Sequence, residues 1–153
     1  MNVKKTANLF VNFTLKRLAE ILGVIVFCSG ILLMLALLTY SPEDPNFIFP
    51  DNTDIKNILG FQGSFVADLF FQSLGLISYM LSITLIITGI NIFTMKEFFL
   101  LIENIFFTII YSLFGTLFLS HFYSNDFSLY INGKGGFVGL YLNQTFFNSL
   151  ILL

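Results

Sequence analysis

The sequence predicts an all-α integral membrane protein, a bundle of four membrane-spanning helices with both termini on the cytoplasmic side. Three observations predict it. Apolar residues fill 56% of the chain and charged residues only 10%, against about 45–50% and about 25% in ordinary soluble domains. Four long stretches carry almost no charge. Lys and Arg gather at one set of stretch ends. Seven basic and nine acidic residues are too few to dress the surface that a soluble domain presents to water. The same composition argues against disorder, which needs low hydrophobicity, and against a basic nucleic-acid-binding surface. One Cys and one His cannot build an internal disulfide or a zinc site. Cys28 lies inside an apolar run and reads as a small hydrophobe.

A spanning helix needs about 20 apolar residues. The charge-free runs at 21–42, 69–95, 104–125 and 135–153 place helices near 20–40, 65–94, 98–122 and 137–153. Residues 1–19 precede them as a basic cytoplasmic tail. The first run exceeds the roughly 7–15 residues of a signal-peptide core and lacks a small-residue cleavage site after it, so it reads as a retained span. The second helix is long: thirty residues at 1.5 Å reach about 45 Å, against about 30 Å of hydrocarbon. It must tilt, or leave its first turns among the headgroups. Gly63 and Ser64 make a plausible start, and Asp68 suits the positive end of a helix dipole. The fourth run is marginal and still apolar at Leu153, which reads as a chain cut short.

Orientation follows from counting Lys and Arg near the span ends. Lys4, Lys5, Lys16 and Arg17 precede the first span, and Lys96 lies in the turn between the second and third. Lys56 and Lys134 lie in the other two loops. An inward N-terminus puts the larger group inside, and four crossings return the C-terminus there. Tyr40, Tyr123, Tyr130 and Tyr141 fall near the outer ends or in the outer loop, where tyrosines form an interfacial belt. In the tail, Leu9, Phe10, Phe13 and Leu18 interleave with Asn12, Lys16 and Arg17. That is a topogenic charge cluster or, alternatively, a short helix lying on anionic lipid.

Helices in lipid associate through small residues and interhelical hydrogen bonds. Thr108, Ser112, Thr116 and Ser120 are spaced by four in span three, and Gly75, Ser78, Ser82 and Gly89 recur along span two. A turn of a few residues joins the two spans, so they are antiparallel neighbours, and the two stripes are expected to face each other. The alternative is hydroxyls that bond only their own backbone. Tyr79 and Tyr111 stand at similar distances from the turn and could meet a partner across the pair. Glu103 is the acid well inside an apolar stretch, a functional candidate by default, though near enough to the inner boundary to reach headgroups or Lys96. Glu20 flanks span one, and His121 sits at an outer helix end.

Catalytic motifs fail. Around Gly133 and Lys134 the P-loop pattern breaks, because Ser128 stands at the first Gly and Gly135 follows the Lys. Gly133, Gly135, Gly136 and Gly139 instead shape the loop into span four. No G-x-S-x-G, H-E-x-x-H or paired-Cys motif occurs. The N-x-T at Asn143 lies inside span four and is disregarded.

One stretch is more specific. Residues 32–47 read LLMLALLTYSPEDPNF, and an apolar helix running into Tyr40, Ser41, Pro42, Glu43, Asp44 and Pro45 resembles the N-terminal four-helix region of FtsK/SpoIIIE-type DNA translocases. Residues 66–75, VADLFFQSLG with Asp68 and Gly75, resemble the opening of that family's second span, with Tyr79 at a customary aromatic. Residues 134–139, KGGFVG with Gly135 and Gly136, resemble its Gly-Gly loop before span four. The likeness covers essentially the whole chain. It implies a non-catalytic anchor and assembly region for a hexameric ATP-driven DNA pump at the bacterial division septum. Implied partners are the lipid bilayer, further copies of the chain and other division proteins. DNA, ATP and Mg would be handled only by a cytoplasmic motor that this chain lacks, so no cofactor and no enzyme activity are expected of it. Pro42 and Pro45 stiffen the exit from span one, and Asp44 can bond nearby amides to fix the turn; a partner contact is the other reading of this motif. The competing functions are a small transporter or channel subunit using Glu103, Tyr79 and Tyr111, and a structural subunit of another membrane complex.

Overall fold

The computed structural model describes residues 3–45, 54–123 and 132–151, with side chains from 9 to 146 within them. Tyr130, Ser128 and Leu153 lie outside the described residues. Among the described residues five helices follow in order: α1 (Val3–Leu38), α2 (Gly60–Leu74), α3 (Ile77–Met95), α4 (Phe99–Phe122) and α5 (Gly136–Ile151). Among the described residues there is no strand. Three helical stretches among the described residues are long and apolar enough to cross a membrane by length and composition: Leu9–Leu38, Ile77–Met95 and Phe99–Phe122. The 16 residues of α5 fall just under the usual lower length of about 17.

The closest packing is between α1 and α3. Ala19, Gly23, Val26, Gly30, Leu33 and Leu37 recur on α1 at alternating steps of four and three, and Ser78, Ser82, Leu85, Gly89 and Ile92 do so on α3. This is the seam of a left-handed antiparallel pair. Glu20 bonds Lys96 at 2.7 Å at one end. Gly23 lies on Phe93, Gly89 on Phe27, and Gly30 on Ile86. At the other end Ser82 reaches Met34 Sδ at 3.5 Å, and Tyr79 Oη donates to the Leu37 carbonyl at 3.3 Å. Each step forward on α1 is matched by an equal step back on α3. A Cβ at Gly23 would stand 2.6 Å from Phe93 N, so the helices meet backbone to backbone, the contact that holds helices together in lipid.

The tail is not separate from span one, since α1 begins at Val3. Leu9, Phe10 and Phe13 stay exposed on that continuous helix.

The long second span is corrected. The expected single helix over 65–94 breaks at Gly75, whose φ of 59° and ψ of −137° suit only a residue without a side chain. A Cβ there would also stand 2.8 Å from Gly136 N. The break removes the length problem: the 19 residues of α3 rise about 28 Å, close to the hydrocarbon thickness. Meanwhile α2 lies across the ends of α1 and α3. Asn57, just before α2, donates to the Ala36 carbonyl, and Phe71, near its end, packs on Tyr79 with ring centroids 5.4 Å apart.

The facing of the two stripes is also corrected. Ser82 and Gly89 turn to α1, and Ser78 donates to the Phe70 carbonyl at 2.8 Å. Ser112, Thr116 and Ser120 are buried, but against α5, where a Cβ at Gly139 would stand 2.8 Å from the Thr116 carbonyl carbon. Thr108 donates to its own Asn104 carbonyl at 2.6 Å and Thr116 to Ser112 at 2.8 Å, so both hydroxyls bond their own helix. The reason is steric. Glycines on two helices permit the nearest approach, and they pair α3 with α1 and α4 with α5. Between α3 and α4 the contacts include Thr84 with Tyr111, 2.8 Å apart, and Ile77 over Gly115. A crevice of about 190 Å³ remains there, lined by Val26, Thr88, Asn104 and Thr108 among others.

Candidate functional site: a polar clamp at one end of the bundle

The residues singled out around 40–45, 68–75 and 134–136 converge at one end of the bundle. The chain leaves α1 through a turn in which Asp44 N donates to the Ser41 carbonyl at 3.1 Å. Pro42 occupies the second position of that turn, where its fixed φ is favourable. The turn aims Asp44 inward, where it is 4% exposed. Its carboxylate accepts the backbone N–H of Lys56 and of Asn57, each at 2.9 Å. A buried carboxylate needs such donors. Asp44 was expected to bond nearby amides, but those it bonds are 12 and 13 residues away. It therefore closes the loop between α1 and α2 instead of only capping its own turn.

Asn57, also 4% exposed, carries the other half of the closure. Its Nδ2 donates to the carbonyls of Ala36 at 2.9 Å and Thr39 at 3.3 Å, groups that a helix C-terminus leaves unpaired. Its Oδ1 accepts Leu59 N at 3.0 Å, and Gly63 leaves the room it occupies. Ser64 Oγ reaches the Pro45 carbonyl at 3.4 Å. Outside this layer Glu43 pairs with Lys56. The ammonium beside it lowers the Glu43 carboxyl below its usual range, and the carboxylate raises the Lys56 ammonium above its own.

The α2 side is held by Asp68, which accepts Tyr40 Oη at 2.8 Å and Gln72 Nε2 at 3.4 Å. Asn132 Nδ2 then donates to the Gln72 carbonyl and side chain, both at 3.2 Å. Leu76 N, just past the Gly75 break, donates to the Lys134 carbonyl at 2.9 Å. Gly136, with φ of 65°, starts α5 against Gly75 and Ser73. Beneath this layer Tyr40, Phe71 and Tyr79 pack in sequence, the first pair tilted and the second edge-to-face, at 4.9 and 5.4 Å between centroids. The clamp thus fastens α1, α2, α3 and α5 with buried and half-buried hydrogen bonds around one aromatic cluster.

Other candidates scatter. Tyr79 turns to Leu37 and Tyr111 to Thr84. Glu103 is exposed and does not meet Lys96, which is bonded to Glu20. These residues share no path through the bundle. His121 Nδ1 lies 3.2 Å from Asn143 Oδ1 on an exposed surface. Sequence reasoning missed Asn57, Gly23, Gly30 and the bridging role of Glu20, which also pairs with Arg17. The four-and-three spacing of Ala19, Gly23, Val26 and Gly30 was the available signal for the α1 seam. Asn57 offered none, because its partners are 18 and 21 residues distant.

The fold and its clamp define a helical, membrane-spanning protein braced at one end by buried and half-buried polar contacts. A family profile described as the 4TM region of DNA translocase FtsK/SpoIIIE matches residues 15–151, and the chain belongs to that family. A DNA translocase FtsK of Bradyrhizobium diazoefficiens is 34% identical over 83 residues, 54% of this chain and 10% of that protein. One from Vibrio vulnificus is 40% identical over 74 residues, 48% of this chain and 7% of its own length. One from Caulobacter vibrioides is 33% identical over 73 residues, 48% of this chain and 9% of its own length. The matched segments thus span a tenth or less of these relatives, and the family region is the membrane region, not a motor. No solved structure matches the chain.

Proposed function

We propose that this chain is the membrane-anchoring and assembly region of a cell-division DNA translocase that couples chromosome segregation to septation. The observation that carries the proposal is the family match over residues 15–151, whose resembling motifs are the residues of the clamp. The chain crosses the bacterial inner membrane four times at the septum, N-terminus and C-terminus inside, with α5 as the fourth crossing. Charge supports the orientation. Lys16, Arg17 and Lys96 cluster at the end opposite the clamp, as the positive-inside rule requires of the cytoplasmic face. The clamp then faces the periplasm, where its exposed acids and turn meet division proteins. ATP, Mg and DNA are handled by a cytoplasmic motor outside this chain.

Topology is tested with two reporters fused behind residue 153. A fluorescent protein that matures only in the cytoplasm is expected to glow, and alkaline phosphatase, active only outside, is expected to stay silent. The opposite pattern overturns the tether. Reading the gene past Leu153 tests the rest: a linker followed by a P-loop supports the anchor, and a natural stop codon argues against it.

A further inference from the structure

Helix α1 runs past the rest of the bundle at its N-terminal end. The α1–α3 seam closes where Glu20 bonds Lys96 at 2.7 Å, and Lys96 is the cap that ends α3. Residues 3–18 of α1 lie beyond that pair and rise about 24 Å at about 1.5 Å each. Every residue from 9 to 18 is exposed. Leu9, Phe10, Val11, Phe13, Leu15 and Leu18 are between 47% and 71% exposed. So many large apolar side chains on one short segment are more than the scattered hydrophobes of an ordinary surface, and mark an interaction site.

Their arrangement narrows what covers them. At about 100° per residue, the six apolar positions sweep an arc of about 240°, with Asn12 and Lys16 on the remainder. A protein groove takes a helix by one stripe and would leave much of that arc uncovered. A helix apolar over most of its girth is instead sunk in hydrocarbon. Charge points the same way. Lys4, Lys5, Lys16 and Arg17 all precede Glu20, the first acid in the chain, and Lys16 enters no ion pair among the described residues. A basic segment beside the cytoplasmic leaflet is drawn to anionic headgroups by about 1 kcal/mol per charge. Arg17 lies over the Phe13 ring at 5.2 Å, so cation and apolar group belong to one surface. Thr14 Oγ1 donates to the Phe10 carbonyl at 3.0 Å. Such a bond to the preceding turn favours bending of a helix, and lets the segment lean onto the leaflet without unwinding.

We propose that residues 9–18 of α1 lie in the cytoplasmic leaflet as a lipid-binding arm, with Phe10 and Phe13 among acyl chains and Lys16 and Arg17 on anionic headgroups. The arm is a second hold on the bilayer, set apart from the spans. The proposal rests on the membrane-spanning reading above, with the N-terminus inside.

The chain contains no Trp, so one introduced Trp reports on one position. Phe10→Trp and, separately, Ile25→Trp on the exposed side of α1 within the span are made in the full chain. Each is reconstituted in phosphatidylethanolamine–phosphatidylglycerol vesicles containing lipid brominated along its acyl chains, which quenches Trp on contact. Both are expected to be quenched. In phosphatidylcholine vesicles, which carry no net headgroup charge, quenching at Phe10→Trp is expected to fall at least twofold, while Ile25→Trp stays as before. Quenching at Ile25→Trp without quenching at Phe10→Trp places the arm in water or against protein, and overturns the proposal while sparing the spans. Equal quenching of Phe10→Trp in both vesicles overturns the part given to anionic headgroups. Absence of quenching at both positions removes the membrane reading and the arm with it.

Discussion

Gly23 of α1 and Gly89 of α3 face each other so closely that a Cβ on Gly23 would stand 2.8 Å from the Gly89 carbonyl oxygen. No side chain fits there, so substitution must part the two helices. Gly89→Leu is expected to destabilise the bundle by about 1–3 kcal/mol, read by SDS titration of the reconstituted protein. Ile87→Val on the exposed side of α3 is expected to change it by less than about 0.5 kcal/mol.

Asp44→Ala removes the acceptor of two backbone amides. Its expected cost is about 1–3 kcal/mol per stranded donor. Hydrogen exchange at Lys56 and Asn57 is expected to quicken while the α1–α3 seam stays protected. Unchanged exchange at those two amides would contradict the closure.

Tyr40→Phe and Asp68→Asn are expected to be non-additive, because the two side chains share one hydrogen bond. A double-mutant cycle should return a coupling of about 0.5–1.5 kcal/mol. A coupling near zero would mean that Asp68 is held by Gln72 alone.

Gly75→Ala places a side chain at φ of 59° and ψ of −137°, which costs about 1–3 kcal/mol in backbone conformation alone. The added Cβ would also crowd Gly136 N. The combined change is expected to loosen α5, measured as increased labelling of cysteines placed along its contact with α4.

The Glu43–Lys56 pair is exposed, so its effect on stability is small, but its pH dependence has a definite sign. The lowered Glu43 carboxyl contributes fully above the ordinary carboxylate range and loses its contribution as pH falls through its folded value. The raised Lys56 ammonium contributes fully below the ordinary lysine range and loses it as pH rises through its folded value. The difference in stability between the natural chain and Lys56→Gln should therefore be flat near neutrality and narrow at both extremes.

Much of this architecture was legible because charge and apolar run length report on the bilayer directly. Those signals located α1, α4 and α5 to within a few residues, apart from the early start of α1. They failed at Gly75, since glycine is common inside spanning helices and both flanks are equally apolar. Facing was misread because hydroxyl spacing is visible along one helix, while the deciding glycine on the partner is remote in sequence. The clamp was half legible. Tyr40, Asp44, Asp68 and the Gly135–Gly136 loop stood out through family resemblance, but Asn57, which ties the α1–α2 connection to α1, lies in no periodic pattern.

Helix α5 is fastened to α2 and α3 at its starting end, through Lys134 and Gly136 against Leu76 and Gly75. Tension applied at its far end is shared between the seat of Gly139 on Thr116 of α4 and that knot. With α5 as the proposed fourth crossing, a tug from one side of the bilayer would be borne in part on the other, by hydrogen bonds near the Gly75 kink.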